Sequence, residues 1–127
     1  MTISYKNLIK GTYFPPGDKS ISHRILILAG QAIGKSQVTN LLEGEDVINT
    51  LNAMKILGSK IINKGGRYIS FGIPPGAVFQ PLKPIDFGNS GTGIRLLSGI
   101  IASNNITAKL IGDKSLSKRP MRRVTEH

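Results

Sequence analysis

Pro15-Pro16-Gly17 interrupts the chain directly before a long apolar segment. Neither a strand nor a helix continues through it, because proline lacks an amide donor and an ordered glycine is entropically costly. A new element therefore starts at Asp18 or Ser20, either of which can cap a helix. Residues 21–32 are apolar apart from Ser22, His23, Arg24 and Gln31, so the pattern predicts a buried helix with a polar first turn. Lys19 and Ser20 stand at the positive end of its dipole, and Arg24 lies one turn beyond Ser20. Donors and positive charge placed this way favour an anion such as a phosphate or a carboxylate. The plainer reading is a helix capped for stability alone, with solvated cations in its first turn.

Charge bears on that choice. Lys and Arg number 17 against 7 Asp and Glu, a formal charge of +10, which points to anionic partners: nucleic acid, a membrane surface or small phosphorylated molecules. At 127 residues and 39% hydrophobic, the chain has room for a real core. With no cysteine, disulfides, thiolate metal sites and cysteine nucleophiles are excluded, and 2 histidines do not make a zinc ligand set. No window approaches the roughly 18 apolar residues of a membrane span, and residues 1–10 lack the apolar core of a signal peptide, so we expect a cytoplasmic protein.

Along the chain, residues 3–9 read as a weak extended segment and residues 10–14 as a short strand ending at the diproline. After the first helix, Gly34 is the expected C-cap, and residues 36–42 have the β-branched content of a strand. Gly44-Glu45-Asp46 opens a helix over residues 47–57, closed by Gly58. Residues 60–63 and 67–71 flank Lys64-Gly65-Gly66, a tight hairpin signal. The element order so far is β-α-β-α-β-β. Residues 72–84 hold Pro74, Pro75, Pro81 and Pro84 and form an irregular connection, with Val78 and Phe79 as its anchors.

The opening pattern then recurs. Ile85-Asp86-Phe87 runs into the glycine-rich turn 88–93, an apolar helix over 94–102 carrying Arg95, and a strand over 106–112. That turn presents backbone amides at a helix start and lets a ligand approach the main chain closely, which makes it a second candidate anion site. Its glycines do not follow the dinucleotide fingerprint, and Gly34-Lys35-Ser36 is no P-loop because Ala29 stands where the first glycine is required. A plain strand-to-helix turn explains the glycines equally well.

Residues 114–123 carry Lys114, Lys118, Arg119, Arg122 and Arg123 around Pro120, either a phosphate-binding patch or a solvated basic loop. Arg119 stands apart, since the following proline holds its backbone extended and lowers the entropy of presenting a guanidinium. His23 reads as a helix residue with a local hydrogen bond and not as a catalytic base. Nothing in the segment pairs carboxylates or sets a nucleophile beside a base, so it supplies binding groups and not acid-base groups.

PGDKSISHR, LLEGEDVINT, DFGNSGTGIR and IGDKSLSKRPMRR, in this order and spacing, resemble the motifs of the 5-enolpyruvylshikimate-3-phosphate synthase family, the 3-phosphoshikimate 1-carboxyvinyltransferases. The resemblance covers nearly the whole of residues 11–123, and PGDKSISHR is its most specific part. It implies the α/β (α+β) enolpyruvyl transferase fold, an inside-out α/β barrel of two domains, each built from three β-α-β-α-β-β units. This chain would hold one unit, about 15–72, and part of a second, about 84–127, of an incomplete substrate-binding domain. Residues 1–14 would be a strand segment belonging to, or crossing from, the missing second domain. The implied reaction moves the enolpyruvyl group of phosphoenolpyruvate onto the 5-hydroxyl of shikimate 3-phosphate and releases phosphate.

By motif, the resemblance places Lys19, Ser20 and Arg24 on shikimate 3-phosphate, and Lys19, Asn89, Gly91 and Arg119 on phosphoenolpyruvate. It implies no metal or organic cofactor, no nucleic-acid or membrane partner, a monomeric full-length enzyme, and acid-base groups that lie outside this segment. The chain alone is then expected to be inactive. The second and fourth motifs look most like the glyphosate-tolerant bacterial branch, in which alanine takes the place of Gly91, so a glyphosate-sensitive parent is implied at this position. The alternatives are the related transferase acting on UDP-N-acetylglucosamine, against which the absent cysteine counts, and a small basic nucleic-acid-binding module using residues 114–123.

Overall fold

The computed structural model describes residues 10–74 and 76–126. Helix α1 (Lys19–Gln31) starts where Asp18 accepts a hydrogen bond from Ile21 N at 2.8 Å, so Asp18 and not Ser20 is the cap. Strand β1 (Lys35–Val38) follows, then α2 (Glu45–Ile56), with Glu45 and Asp46 in its first turn. The C-terminus of α2 is closed by two backbone bonds, Gly58 N to Lys55 O and Ser59 N to Met54 O, each 3.0 Å. This closure requires the left-handed φ of +110° that glycine supplies at 58.

Strands β2 (Lys60–Lys64) and β3 (Arg67–Phe71) form the expected hairpin, its turn made by Gly65 and Gly66 at φ 59° and 79°. β3 lies between β1 and β2, antiparallel to both, with Val38 opposite Tyr68 and Ile62 opposite Ile69. The second unit holds β4 (Ile85–Asp86), α3 (Gly91–Ala102) and β5 (Leu110–Ile111), with β4 and β5 parallel. A 3-10 turn (Leu116–Lys118) and a short helix α4 (Arg122–Thr125) complete the described residues.

The helices lie at the centre. Leu26, Val47, Leu51, Met54, Leu97 and Phe87 are all buried in one core. α1 and α2 run side by side in the same direction: Lys19 meets Asp46, His23 meets Thr50 one turn later, and Gly30 packs on Met54. A Cβ at Gly30 would lie 2.5 Å from the Met54 methyl, so glycine sets this close approach. Asn49 donates to Phe87 O at 3.1 Å, and Thr50 packs against Gly93. The starts of α1, α2 and α3 therefore gather at one end of the molecule.

Several expectations need correction. Residues 10–14 form no strand; Tyr13 and Phe14 are 78% and 85% exposed, and an extended segment becomes a strand only where a neighbour supplies hydrogen-bonding partners. The extended segment expected over 3–9 lies outside the described residues. Gly34 is not the cap of α1: Ala32 is, in an extended conformation, and Gly34 at φ 98° turns the chain into β1. β1 stops at Val38 instead of 42, because Asn40 adopts φ 55° and Leu42 N donates to Ser22 Oγ on α1 instead of to a strand. The strand expected over 106–112 shrinks to Leu110–Ile111, since Thr107 satisfies its amide and carbonyl on the Gln80 side chain. The helix expected from 94 begins at Gly91, capped by Ser90 Oγ accepting from Gly93 N at 3.1 Å. Phe79 is exposed, yet it anchors the connection by placing its ring over Gly58 and donating its amide to Leu57 O.

Candidate functional site

The end of the molecule where the helices start carries Lys19, Ser20, Arg24, Asn89, Gly91 and Arg119. Lys19 is the first residue of α1, with its side chain 54% exposed and its ammonium paired with Asp46 on α2. Ser20 stands exposed beside it in the first turn and Arg24 one turn further on, where the Arg24 Nη1 donates to Ser20 O at 3.1 Å. That bond folds the guanidinium back toward the helix start and adds its charge to the positive end of the dipole.

His23 is fully buried between α1 and α2 and contacts Thr50 Oγ1 at 2.8 Å through Nδ1. This bond spans 27 residues, so the expected local hydrogen bond is replaced by one between helices. Thr50 donates its own proton to Asp46 O, which leaves Oγ1 to accept from Nδ1–H, and Nε2 has no partner among the described residues. Burial is the main influence lowering the imidazole's pKa below its ordinary 6.5; Asp46 opposes it, while Lys19 and Arg24 reinforce it. His23 is thus a neutral brace beneath the helix starts.

The second cluster is built on the α3 start. Asn89 Oδ1 accepts from Arg119 Nη2, and Gly91 packs beneath the same guanidinium, so a Cβ there would lie 2.7 Å from Arg119 Nη1 and 3.1 Å from Arg95 Nη1. Arg119 is extended, at φ −77° and ψ 135°, as the following proline dictates. Arg95 is held by Gly91 O at 3.3 Å and Pro120 O at 3.2 Å, and it backs the cluster with a second guanidinium. Asp113 accepts from Asn89 Nδ2 at 2.8 Å and from Leu116 N at 2.6 Å; chiefly this backbone bond, opposed by burial and aided by Asn89, holds its carboxyl below the usual range.

The structure thus brings Asn89, Gly91 and Arg119 into contact, and Lys19, Ser20 and Arg24 into a separate group. The start of α2 joins them, through Lys19–Asp46 on one side and Asn49–Phe87 on the other. Among the described residues no group of three or more His, Cys, Asp or Glu is placed to hold a metal ion. Backbone amides at helix starts together with ammonium and guanidinium groups are the chemistry suited to an anion.

A family model described as EPSP synthase (3-phosphoshikimate 1-carboxyvinyltransferase) matches residues 3–127. The chain belongs to the EPSP synthase family. A 3-phosphoshikimate 1-carboxyvinyltransferase of Ruegeria sp. is 49% identical over 99% of this chain and 28% of its own length, and that of Cereibacter sphaeroides is 48% identical over the same shares. A solved EPSP synthase from Acinetobacter baumannii superposes with a TM-score of 0.86 at 40% identity, over 91% of this chain and 27% of that one. The chain therefore spans little more than a quarter of the length of these relatives, and its fold is that of the matching part of EPSP synthase.

These matches favour EPSP synthase over the UDP-N-acetylglucosamine transferase and over a nucleic-acid-binding module. Residues that the sequence reading left out of this EPSP synthase segment's site are Asp46, Thr50, Arg95 and Asp113. Asp46 carried no more than a helix-start signal, Thr50 lay within a helix with no signal of its own, and Asp113 was one carboxylate in a basic loop. Only the contacts mark them out.

Proposed function

We propose that this segment supplies one wall of the site of a 3-phosphoshikimate 1-carboxyvinyltransferase. In that role the whole protein transfers the enolpyruvyl group of phosphoenolpyruvate to the 5-hydroxyl of shikimate 3-phosphate and releases phosphate. Lys19, Ser20 and Arg24 hold shikimate 3-phosphate, and Lys19 also reaches phosphoenolpyruvate together with Asn89, Gly91 and Arg119. The observation that carries this reading is the gathering of both cationic groups around the start of α2, in a chain that belongs to the EPSP synthase family.

Two substrates that each carry a carboxylate and a phosphate repel each other when side by side, and Lys19 between them offsets that repulsion. The family reaction is addition followed by elimination through a tetrahedral intermediate, and cations fixed in advance stabilise charge there without reorganising. The acid-base groups belong to the remainder of the protein. Residues 15–127 are read as an incomplete substrate-binding domain, with units at about 15–72 and 84–127, in keeping with one sheet in each. Residues 1–14 are read as belonging to, or crossing from, a second domain. Among the described residues no helix is long and apolar enough to cross a membrane. Under the same reading the whole protein is a cytoplasmic monomer.

The test is phosphate release by the full-length protein. Release should require both phosphoenolpyruvate and shikimate 3-phosphate and should fall at least about a hundredfold in Lys19→Ala, since one cation serves both anions. Turnover of UDP-N-acetylglucosamine in place of shikimate 3-phosphate would contradict the reading.

A further inference from the structure

We infer that Asp113 is a positioning residue for the phosphoenolpyruvate side of the site, locking the Asn89 amide so that its oxygen faces Arg119. The inference rests on the reading above for its ligand and on the contacts of the loop after β5 for its geometry.

A side-chain amide can turn over, exchanging its oxygen and its NH2 group in space, unless a neighbour distinguishes them. Here one does. A carboxylate only accepts, so Asp113 Oδ2, 2.8 Å from Asn89 Nδ2, admits only the NH2 end. The amide oxygen is thereby turned to the other side, where Arg119 Nη2 donates to it. The carboxylate itself is held firmly: Oδ1 accepts from Leu116 N at 2.6 Å, and the Asp113 amide donates to Gly88 O at 2.8 Å. The same loop returns Arg119, whose amide donates to Leu116 O at 3.0 Å. One residue therefore fixes both the amide and the segment that carries the guanidinium.

The relay also shapes the charge. The ion pairs found among the described residues are Lys19–Asp46 and Arg122–Glu126, so Asp113 and Arg119 do not pair directly. A carboxylate in direct contact would occupy the guanidinium fork and compete with an incoming anion. Acting through a neutral amide, Asp113 orients Arg119 and leaves its remaining donors for the ligand.

Asp113→Asn separates this role from mere capping of the 3-10 turn. Asparagine keeps an oxygen for Leu116 N and caps equally well, yet it sets an NH2 group against the NH2 group of Asn89. In the full-length protein we expect the KM for phosphoenolpyruvate to rise about tenfold, with KM for shikimate 3-phosphate and the unfolding midpoint near wild type; tenfold corresponds to about 1.4 kcal/mol. Asp113→Ser, which can cap through its hydroxyl but cannot reach Asn89, should behave alike. The side-chain amide resonances of Asn89, followed by NMR without substrate, should shift in Asp113→Asn. Unchanged KM for phosphoenolpyruvate, or a rise in both KM values together with a lower midpoint, overturns the positioning role. If the wild-type protein turned over no shikimate 3-phosphate, the functional reading would fall instead, and the Asn89 resonances would still decide the lock: a shift upholds it and no shift overturns it.

Discussion

Gly91 shows how a single missing side chain sets the site. It is buried at the first position of α3, and its lack of a Cβ is what allows the Arg119 and Arg95 guanidinium groups to lie against the helix start. In Gly91→Ala the methyl would meet the far ends of two flexible side chains and no backbone, so the guanidinium groups move and the fold stays. We expect the full-length variant to unfold near the wild-type midpoint while its KM for phosphoenolpyruvate rises about tenfold or more, the scale of one disturbed charge-assisted hydrogen bond. Glyphosate inhibition should weaken with it. Steady-state kinetics with thermal unfolding checks both; an unchanged KM would show that Arg119 does not face phosphoenolpyruvate. Asn89, Gly91 and Arg119 were legible as a motif, whereas Asp113 was not, because a carboxylate that works through an amide leaves no spacing signal of its own.

Between elements, the important contact is the parallel pairing of α1 and α2 through Lys19–Asp46 and His23–Thr50. Protonating His23 would place an N–H without a partner and a charge in the core, facing Asp46, Lys19 and Arg24. Since the folded pKa is lowered, both states are neutral above about 6.5 and stability is unaffected there. Below that value the unfolded chain takes up the proton first. Stability should therefore fall as pH drops from about 6.5 to the lower folded value, with a slope of at most about 1.4 kcal/mol per pH unit from this group. His23→Gln should remove that slope, which denaturant unfolding of the full-length protein at a series of pH values measures; an unaltered slope would assign it elsewhere. The elements themselves were largely legible, since Asp18, Gly58 and the Gly65-Gly66 turn act through local backbone rules. What was not legible depends on partners far along the chain: the unpaired residues 10–14, the strand cut short by Asn40, and Thr107 bonded to Gln80.

At the scale of the molecule, the parallel helix core directs three helix starts to one end and leaves cations there in a chain of formal charge +10. The motifs identified the family from sequence alone, and the structure adds that the two cationic groups lie on either side of the start of α2. Apolar side chains of α1 such as Ile21 and Leu28 remain 65% and 62% exposed, as fits a segment covering 28% of its relatives. The central claim is that this end binds a phosphorylated substrate through α1. Calorimetric titration of shikimate 3-phosphate into the full-length protein and its Arg24→Ala variant tests it most directly. Binding by the wild type with an affinity lower by at least about tenfold in the variant is expected, given the strength of charge-assisted bonds to phosphate; equal affinity in the two proteins would contradict it.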